Sequence, residues 1–480
     1  MLQPTVAIIG AGFSGAILSL RLRPVVPPDT RILLIERSGQ FGPGLAYGAA
    51  GPDHLLNVPA GRMSPFPAAP DHFLQWARRR RPHKAIAGAD FLPRRLYGEY
   101  LQQLLDAAAD APCPRRLADE VVAIDAGQDG VVLRLASGGV VAASVAVLAT
   151  GNARPLPPHP ALASLRAGGL WMDDPWAPDA LSGIAPAAPV LLIGTGLTMV
   201  DVVTTLLGAG HAGPIHALSR RGLLPRPHAA AHAPFVPNCP PPGNLPGLFH
   251  WLRREADRAA EGGGGWQGVM DALRPTIQDL WRGFSDAERR CFLRHARPYW
   301  DVHRHRLPRR VAERIAAAQD SGQLRIMAGR VVDVAEAEGS AVVTWRPRRQ
   351  DAAKTLRVAR VVNCTGAATD ITRGDDLLMR GLLAKGTIRP DPCRQGVDVA
   401  LNGAVRNRFG IASPHVYAIG PLTKGAWWEV TSVPDIRQQC ETLAKTIGER
   451  LSAAAATGGG VPLRGNLRSE AIDRAGPAIS

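Results

Sequence analysis

The sequence predicts an α/β protein of two Rossmann-like, three-layer (ββα) domains, each with a β insertion, the second also carrying an α-helical cap insert. Three observations lead there. The run VAIIGAGFSGAILSLRL, from Val6, joins an apolar strand to an apolar helix through Gly10, Gly12 and Gly15. The run APVLLIGTGLTMVDVVTTLL, from Ala188, repeats the pattern with Gly194 and Gly196. Each unit is followed by an alternating, β-rich stretch that closes on Thr-Gly, at Thr150-Gly151 and at Thr365-Gly366.

In the first unit Gly10 permits a tight turn, Gly12 lets a pyrophosphate approach the backbone, and Gly15 lets the helix pack close to the strand. Ser14 sits in the same turn, where the unpaired N–H groups of a helix N-terminus favour an anion. The next strand, RILLIE, ends in Glu36, the acid expected on a ribose hydroxyl, followed by Arg37. Strand, glycines, helix and acid in series predict a dinucleotide site. The second unit departs from this pattern. Met199 stands at the third glycine position, one residue after Thr198, so this helix should pack less closely. The strand PIHALSRRG ends in Ser219-Arg220-Arg221 with no acid, which suits a ribose 2′-phosphate and predicts NADPH. The turns QDG and EGS within the β-rich stretches predict hairpins.

These features divide the chain into a first domain over 1–160, a second over 186–355, a return to the first over 356–450, and a low-complexity tail over 451–480. The helical insert spans about 238–320. It opens with the linker PNCPPPGNLPG and is broken by the glycines at 262–265. Val269, Leu273, Ile277 and Leu280 fall at helical spacing, and Ser285 with Glu288 forms a capping-box pattern. The insert ends at YWDVHRHRLPRR, from Tyr299. His303 and His305 are two apart and point away from each other on a helix, so no metal site is expected.

The formal net charge is +15, and nearly all of it is arginine; Lys84, Lys354, Lys385, Lys424 and Lys445 are the lysines. With abundant Ala, Gly and Pro this is a compositional bias, so nucleic-acid binding is not expected. The positive field still draws in anionic cofactors and small acidic substrates. The six cysteines form no CxxC pair, which predicts free thiols and a cytoplasmic protein. The sequence shows no signal-peptide pattern and no membrane-spanning apolar run.

The order GAGFSG, Glu36, ATG, GTGLT, CTG and VYAIG resembles the flavoproteins with two dinucleotide-binding domains. DHLLNVPAGRMS, FLPRRLYGEYL, SRRGLLPRPH, YWDVHRHR and GPLTKGAWWEVTSVPDIRQQ are similar to a bacterial branch of FAD/NAD(P)-dependent monooxygenases. That branch includes FAD-dependent urate hydroxylases and aspartate N-monooxygenases. The resemblance implies FAD on the first unit, NAD(P)H on the second, and oxygen activation through a C4a-hydroperoxyflavin. It implies a small polar anionic substrate and O2 as partners. Urate hydroxylation in purine metabolism comes first; amino-acid N-hydroxylation of the aspartate type, or a non-oxygenating flavin oxidoreductase, is the alternative. The chain lacks the CxxxxC pair of a disulfide reductase. The resemblance implies FAD contacts from Met63, Ser64, Arg94, Val122, Thr150, Gly151 and Gly420, with Tyr97 beside Arg94. Pro421 follows Gly420 where the family has Asp, so backbone N–H groups over 420–425 are expected to stand in. One of Trp427 and Trp428 is expected to wall the active site. Asn57, Tyr299, His303 and Arg306 are the expected catalytic set.

Overall fold

A computed structural model describes residues 3–107, 114–229, 235–240, 244–262 and 264–456. The strand Thr5–Ile9 is buried throughout, as an apolar run flanked on both faces by packed layers must be. It pairs in parallel with Arg31–Ile35 on one side and Val145–Leu148 on the other. The six-stranded sheet continues outward to Arg115–Leu117 at one edge, and through Ala412–Ala418 to Ala404–Arg406 at the other. The chain therefore returns late to complete the first domain. The helix Phe13–Leu22 covers one face of this sheet and packs on the last helix, Val433–Ala456. Ile17, Leu18, Leu22, Leu443 and Ile447 form their seam, and full burial of each such side chain is worth about 1.5–3 kcal/mol.

The second sheet has seven strands, with Val190–Ile193 between Ile215–Ser219 and Arg360–Asn363. Trp171–Met172 forms its edge beside Arg360–Asn363, so this sheet takes in strands on both sides of the span 186–355. The two β insertions differ. In the first domain Val121–Ala126, Val131–Leu135 and Val140–Ala143 form a separate three-stranded sheet. In the second, Leu324–Ala337 is one long strand. Its start pairs in parallel with Ile215–Ser219, and the rest pairs antiparallel with Ser340–Pro347. The insertion is thus a continuation of the main sheet.

The helical insert forms its own core from Trp251, Trp281, Phe292 and Trp300, completed by Trp428 from the returning chain. The capping box is present: Glu288 N–H donates to Ser285 Oγ at 3.3 Å and Ser285 N–H donates to Glu288 Oε2 at 2.9 Å. The apolar helical run from Val269 to Leu280 is broken into Trp266–Ala272 and Ile277–Gly283. Pro275 lies in the short turn between them, where its missing N–H and fixed φ stop a continuous helix. The last helix runs to Ala456, past the expected start of the tail; 457–480 lie outside the described residues.

Candidate active site

Both glycine turns open at the C-terminal ends of their parallel strands, where ligands bind in open α/β sheets. One connected cleft of ≈ 2280 Å3 passes both turns and reaches under the helical insert. Gly10, Gly12, Ser14, Glu36, Arg37, Met63, Thr150 and Gly151 line its first arm. Gly10 has φ +101°, and a Cβ there would collide with Ala149 O, so glycine is needed for the turn itself. Gly15 serves packing: a Cβ would strike Gly10 O, and the residue does not line the cleft. The Glu36 carboxylate lines the cleft and accepts hydrogen bonds from Ala11 N–H (2.8 Å) and Ser38 N–H (3.0 Å). Arg37 reaches Glu120 at 3.4 Å across the same arm.

Some first-arm expectations need correcting. Val122 does not line the cleft; Val121 does, because the pairing with Val131–Leu135 is irregular between Val121 and Ala123. Ser64 is fully buried and closes its own loop, its hydroxyl donating to Ala69 O at 2.6 Å. Tyr97 is a core residue, packed on Phe73 and Tyr100 and donating to Met63 O at 2.9 Å. Gly420 also lies off the cleft, its N–H donating to Gln439 Oε1 at 2.8 Å; Pro421 and Leu422 line the cleft instead. Gly425 N–H is spent on Gln395 O at 2.8 Å, so it does not replace the missing Asp.

Gly194, Gly196, Thr198, Ser219, Arg220 and Arg221 line the second arm. Gly196 caps the helix Leu197–Gly208 at φ −87°, a backbone open to any residue, and a Cβ there would meet no described atom within 4 Å. Among the described residues no contact requires glycine at this position. The open cradle fits a ligand phosphate brought against the helix N-terminus. Ser219 Oγ accepts from Gly222 N–H at 3.0 Å and pairs with Thr195 Oγ1 at 2.9 Å. Arg221 donates to Tyr299 Oη at 3.0 Å and lies over its ring, 4.9 Å from the centroid. The hydrogen bond from Arg221, with its charge, lowers the pKa of the Tyr299 phenol.

The two domains are tied beside the cleft. Arg94 donates Nη1 to Asp201 Oδ2 at 2.7 Å and Nε to Leu55 O at 3.0 Å. These side chains are only 16% and 10% exposed, so Arg94 is foremost an interdomain clamp, although it lines the cleft. His54 Nδ1 accepts Gly51 N–H at 3.0 Å, which leaves Nε2 to donate to Thr205 Oγ1 at 2.8 Å. Burial, outweighing Asp201, lowers the His54 pKa and keeps the ring neutral. Asn57 lines the cleft, and its carbonyl lies 3.2 Å from His228 Nε2.

Under the insert, the helix Arg297–Arg304 sets one face on the cleft. Arg297, Pro298, Asp301, Val302, Arg304, His305 and Arg306 line it; Tyr299 and His303 do not. Tyr299 holds Arg221, and His303 turns to its own Tyr299 carbonyl (2.7 Å) and to the Trp266 ring. Arg306 is buried and ion-paired with Asp271. Arg304, His305 and Lys424, which the sequence reading did not place in the site, also line the cleft, as does Glu429, next to Trp428. Glu429 accepts from Arg304 Nε at 2.7 Å and from Trp300 Nε1 at 2.6 Å. Burial pushes its carboxyl up, but Arg304 and His305 outweigh that and hold its pKa below the ordinary range. Trp428 both lines the cleft and stacks on Trp281 at 4.5 Å.

Residues 7–153 match a family model described as FAD-NAD(P)-binding. An uncharacterized protein of Mycobacterium tuberculosis is 24% identical over 92% of this chain and 95% of its own. Among solved structures, the ornithine hydroxylase of Pseudomonas aeruginosa superposes with TM-score 0.64 at 14% identity, covering 94% of this chain and 100% of that one. The ornithine N-hydroxylase of Kutzneria sp. 744, with reduced FAD, NADP+ and L-ornithine, gives 0.61 at 16% identity, with 94% and 100% covered. The L-lysine 6-monooxygenase of Pseudomonas syringae gives 0.61 at 15% identity over the same shares. No helix among the described residues is long and apolar enough to cross a membrane. The chain has the fold of these two-dinucleotide-domain flavoproteins, with an FAD-NAD(P)-binding match in its first domain.

Proposed function

We propose that this chain is an FAD-dependent NAD(P)H monooxygenase that hydroxylates the amino nitrogen of a small amino acid. The observation that carries the reading is the single cleft that joins both glycine turns to a charged pocket under the insert. FAD would be held by the turn at Gly10 and Gly12, with Glu36 toward a ribose and Met63 along the same arm. When bound it supplies hydride acceptance from NAD(P)H and the activation of O2. The chain's own residues bind, orient and exclude water. Gly196 and the helix it caps take the pyrophosphate of the nicotinamide cofactor, and Arg94 with Asp201 keeps the two arms aligned.

Ser219, Arg220 and Arg221 on the second arm support NADPH over NADH. The substrates named for the similar structures support the amino-acid reading. The urate expectation has no comparable support. A disulfide reductase of the same fold needs a cysteine pair, and the described cysteines are free and scattered in sequence.

The test is substrate-stimulated NADPH oxidation by the FAD-loaded protein, with O2 uptake and a hydroxylamine assay on the product. Failure to bind FAD, or oxidation that no amino acid stimulates, overturns the proposal.

A further inference from the structure

The end of the first domain's sheet opposite the cleft carries an apolar point set among arginines. Ala404–Arg406 and Ala412–Ala418 pair antiparallel, joined by a turn over residues 407–411. Ala412–Ala418 runs parallel to Val145–Leu148 and leads on to Pro421, which lines the cleft. Its start, with the turn, therefore lies at the far end of the sheet. Asn407 closes the turn. Its N–H donates to Ile411 O at 2.9 Å, and its Oδ1 accepts from Phe409 N–H at 2.9 Å and from Ile411 N–H at 3.0 Å. That hydrogen bonding calls for no apolar side chain at 409 or 411. Yet Phe409 is 78% and Ile411 64% exposed, and Phe409 is the one exposed phenylalanine among the described residues.

Three guanidinium groups are held at this turn. Arg406 Nη1 donates to Gly410 O at 2.8 Å. Arg389 Nη1 lies 2.9 Å from where a Cβ on Gly410 would sit. Arg408 Nη2 donates to Lys385 O at 2.6 Å. Arg389 and Arg406 share one carboxylate, Asp398, at 2.6 and 3.7 Å, and Arg408 has no ion pair among the described residues. The turn therefore keeps a positive surplus. Arg31 and Arg115 open two further strands of the sheet at the same end, and neither has an ion pair among the described residues.

We propose that this end of the protein docks on an anionic lipid surface, with Phe409 and Ile411 entering the headgroup layer and the arginines meeting lipid phosphates. Size and charge choose this occupant. Two apolar side chains cover far less than the roughly 1,000 Å2 that a specific protein interface needs. A second copy docked about a two-fold axis would set arginine against arginine. An anionic lipid surface needs neither a broad face nor a groove. It takes up a few apolar side chains and attracts each cation near them. The contact lies on the surface, in keeping with the absence among the described residues of a helix able to cross a membrane. Neither Phe409 nor Ile411 lines the cleft, so docking at this end leaves the cleft open to solution.

The experiment is co-sedimentation of the full, FAD-loaded chain with mixed phosphatidylglycerol–phosphatidylcholine vesicles, against vesicles of phosphatidylcholine alone. Partition onto the anionic vesicles is expected to exceed that onto the neutral ones at least roughly tenfold, and to fall as salt rises. Phe409→Ser with Ile411→Ser is expected to lower it roughly ten- to a hundredfold, and Arg408→Gln roughly fivefold. Both apolar side chains are exposed, so the double variant is expected to keep its melting temperature and its FAD. Equal partition onto both kinds of vesicle, no partition, or unchanged partition of the double variant overturns the proposal. So does self-association that the double variant abolishes, or tighter capture by single-stranded DNA than by the anionic vesicles. None of these readouts needs a substrate, so the outcome is separate from the monooxygenase reading.

Discussion

Gly196→Ser separates a glycine kept for a ligand from one kept for the backbone. The residue caps the helix Leu197–Gly208 in an extended conformation, and among the described residues no atom lies within 4 Å of where its Cβ would sit. Serine is the better N-cap, so folding stability should rise by a few tenths of a kcal/mol, or about that order. The same Cβ and hydroxyl would occupy the space through which a pyrophosphate must approach. Losing one charge-assisted amide contact costs about 1.5–3 kcal/mol, which is roughly ten- to 150-fold in affinity. The assay pairs a thermal melt with NADPH titration of the FAD-loaded protein. Gly10→Ala is the contrast: φ +101° and the collision with Ala149 O should cost stability directly. Unchanged NADPH affinity in a folded Gly196→Ser protein would refute the assignment of the second arm.

Arg94→Met leaves Asp201 buried without its guanidinium and should destabilise the protein by about 3–5 kcal/mol in urea unfolding, with Asp201→Leu recovering most of it in the double variant. His303→Ala and Tyr299→Phe should leave substrate-stimulated turnover within about twofold of the parent, because neither side chain lines the cleft; Tyr299→Phe can alter NADPH affinity through Arg221. Glu429→Gln leaves Arg304 without its counter-charge, so the variant should unfold at lower urea. Because the folded pKa of Glu429 is depressed, its contribution is present above the unfolded pKa and is lost as pH falls through the folded one, and an acid titration of stability should show that loss shrink in the variant.

The scaffold was legible because it depends on backbone and pattern. Gly10 and Gly194 sit at positive φ in turns that a side chain would break, so the turns announce themselves in the glycine spacing. The apolar strands and the Ser285–Glu288 cap are equally local. Positions that depend on a partner distant in sequence were not legible. Arg94 reads as a phosphate ligand until Asp201 is seen beside it, and Ser64 reads as a flavin contact until its loop closes on Ala69. Val122 missed by one residue because an irregular strand pairing cannot be seen in composition.

The stretch from Tyr299 shows why the substrate end was the hardest to read. Helical spacing correctly put Tyr299 with His303 on one face, but spacing cannot say which face meets the cleft. The observed face is held by Glu429, a buried residue at φ +64° on a segment more than a hundred positions away. A non-glycine residue in that conformation costs energy, and its carboxylate is repaid by Arg304 and Trp300 together. With Arg304 and Trp300 held by Glu429, Arg304 and His305 line the cleft and His303 packs on Trp266. The wall of the cleft under the insert thus depends on a contact between the returning chain and the insert, and Lys424 from the same returning segment lines it too.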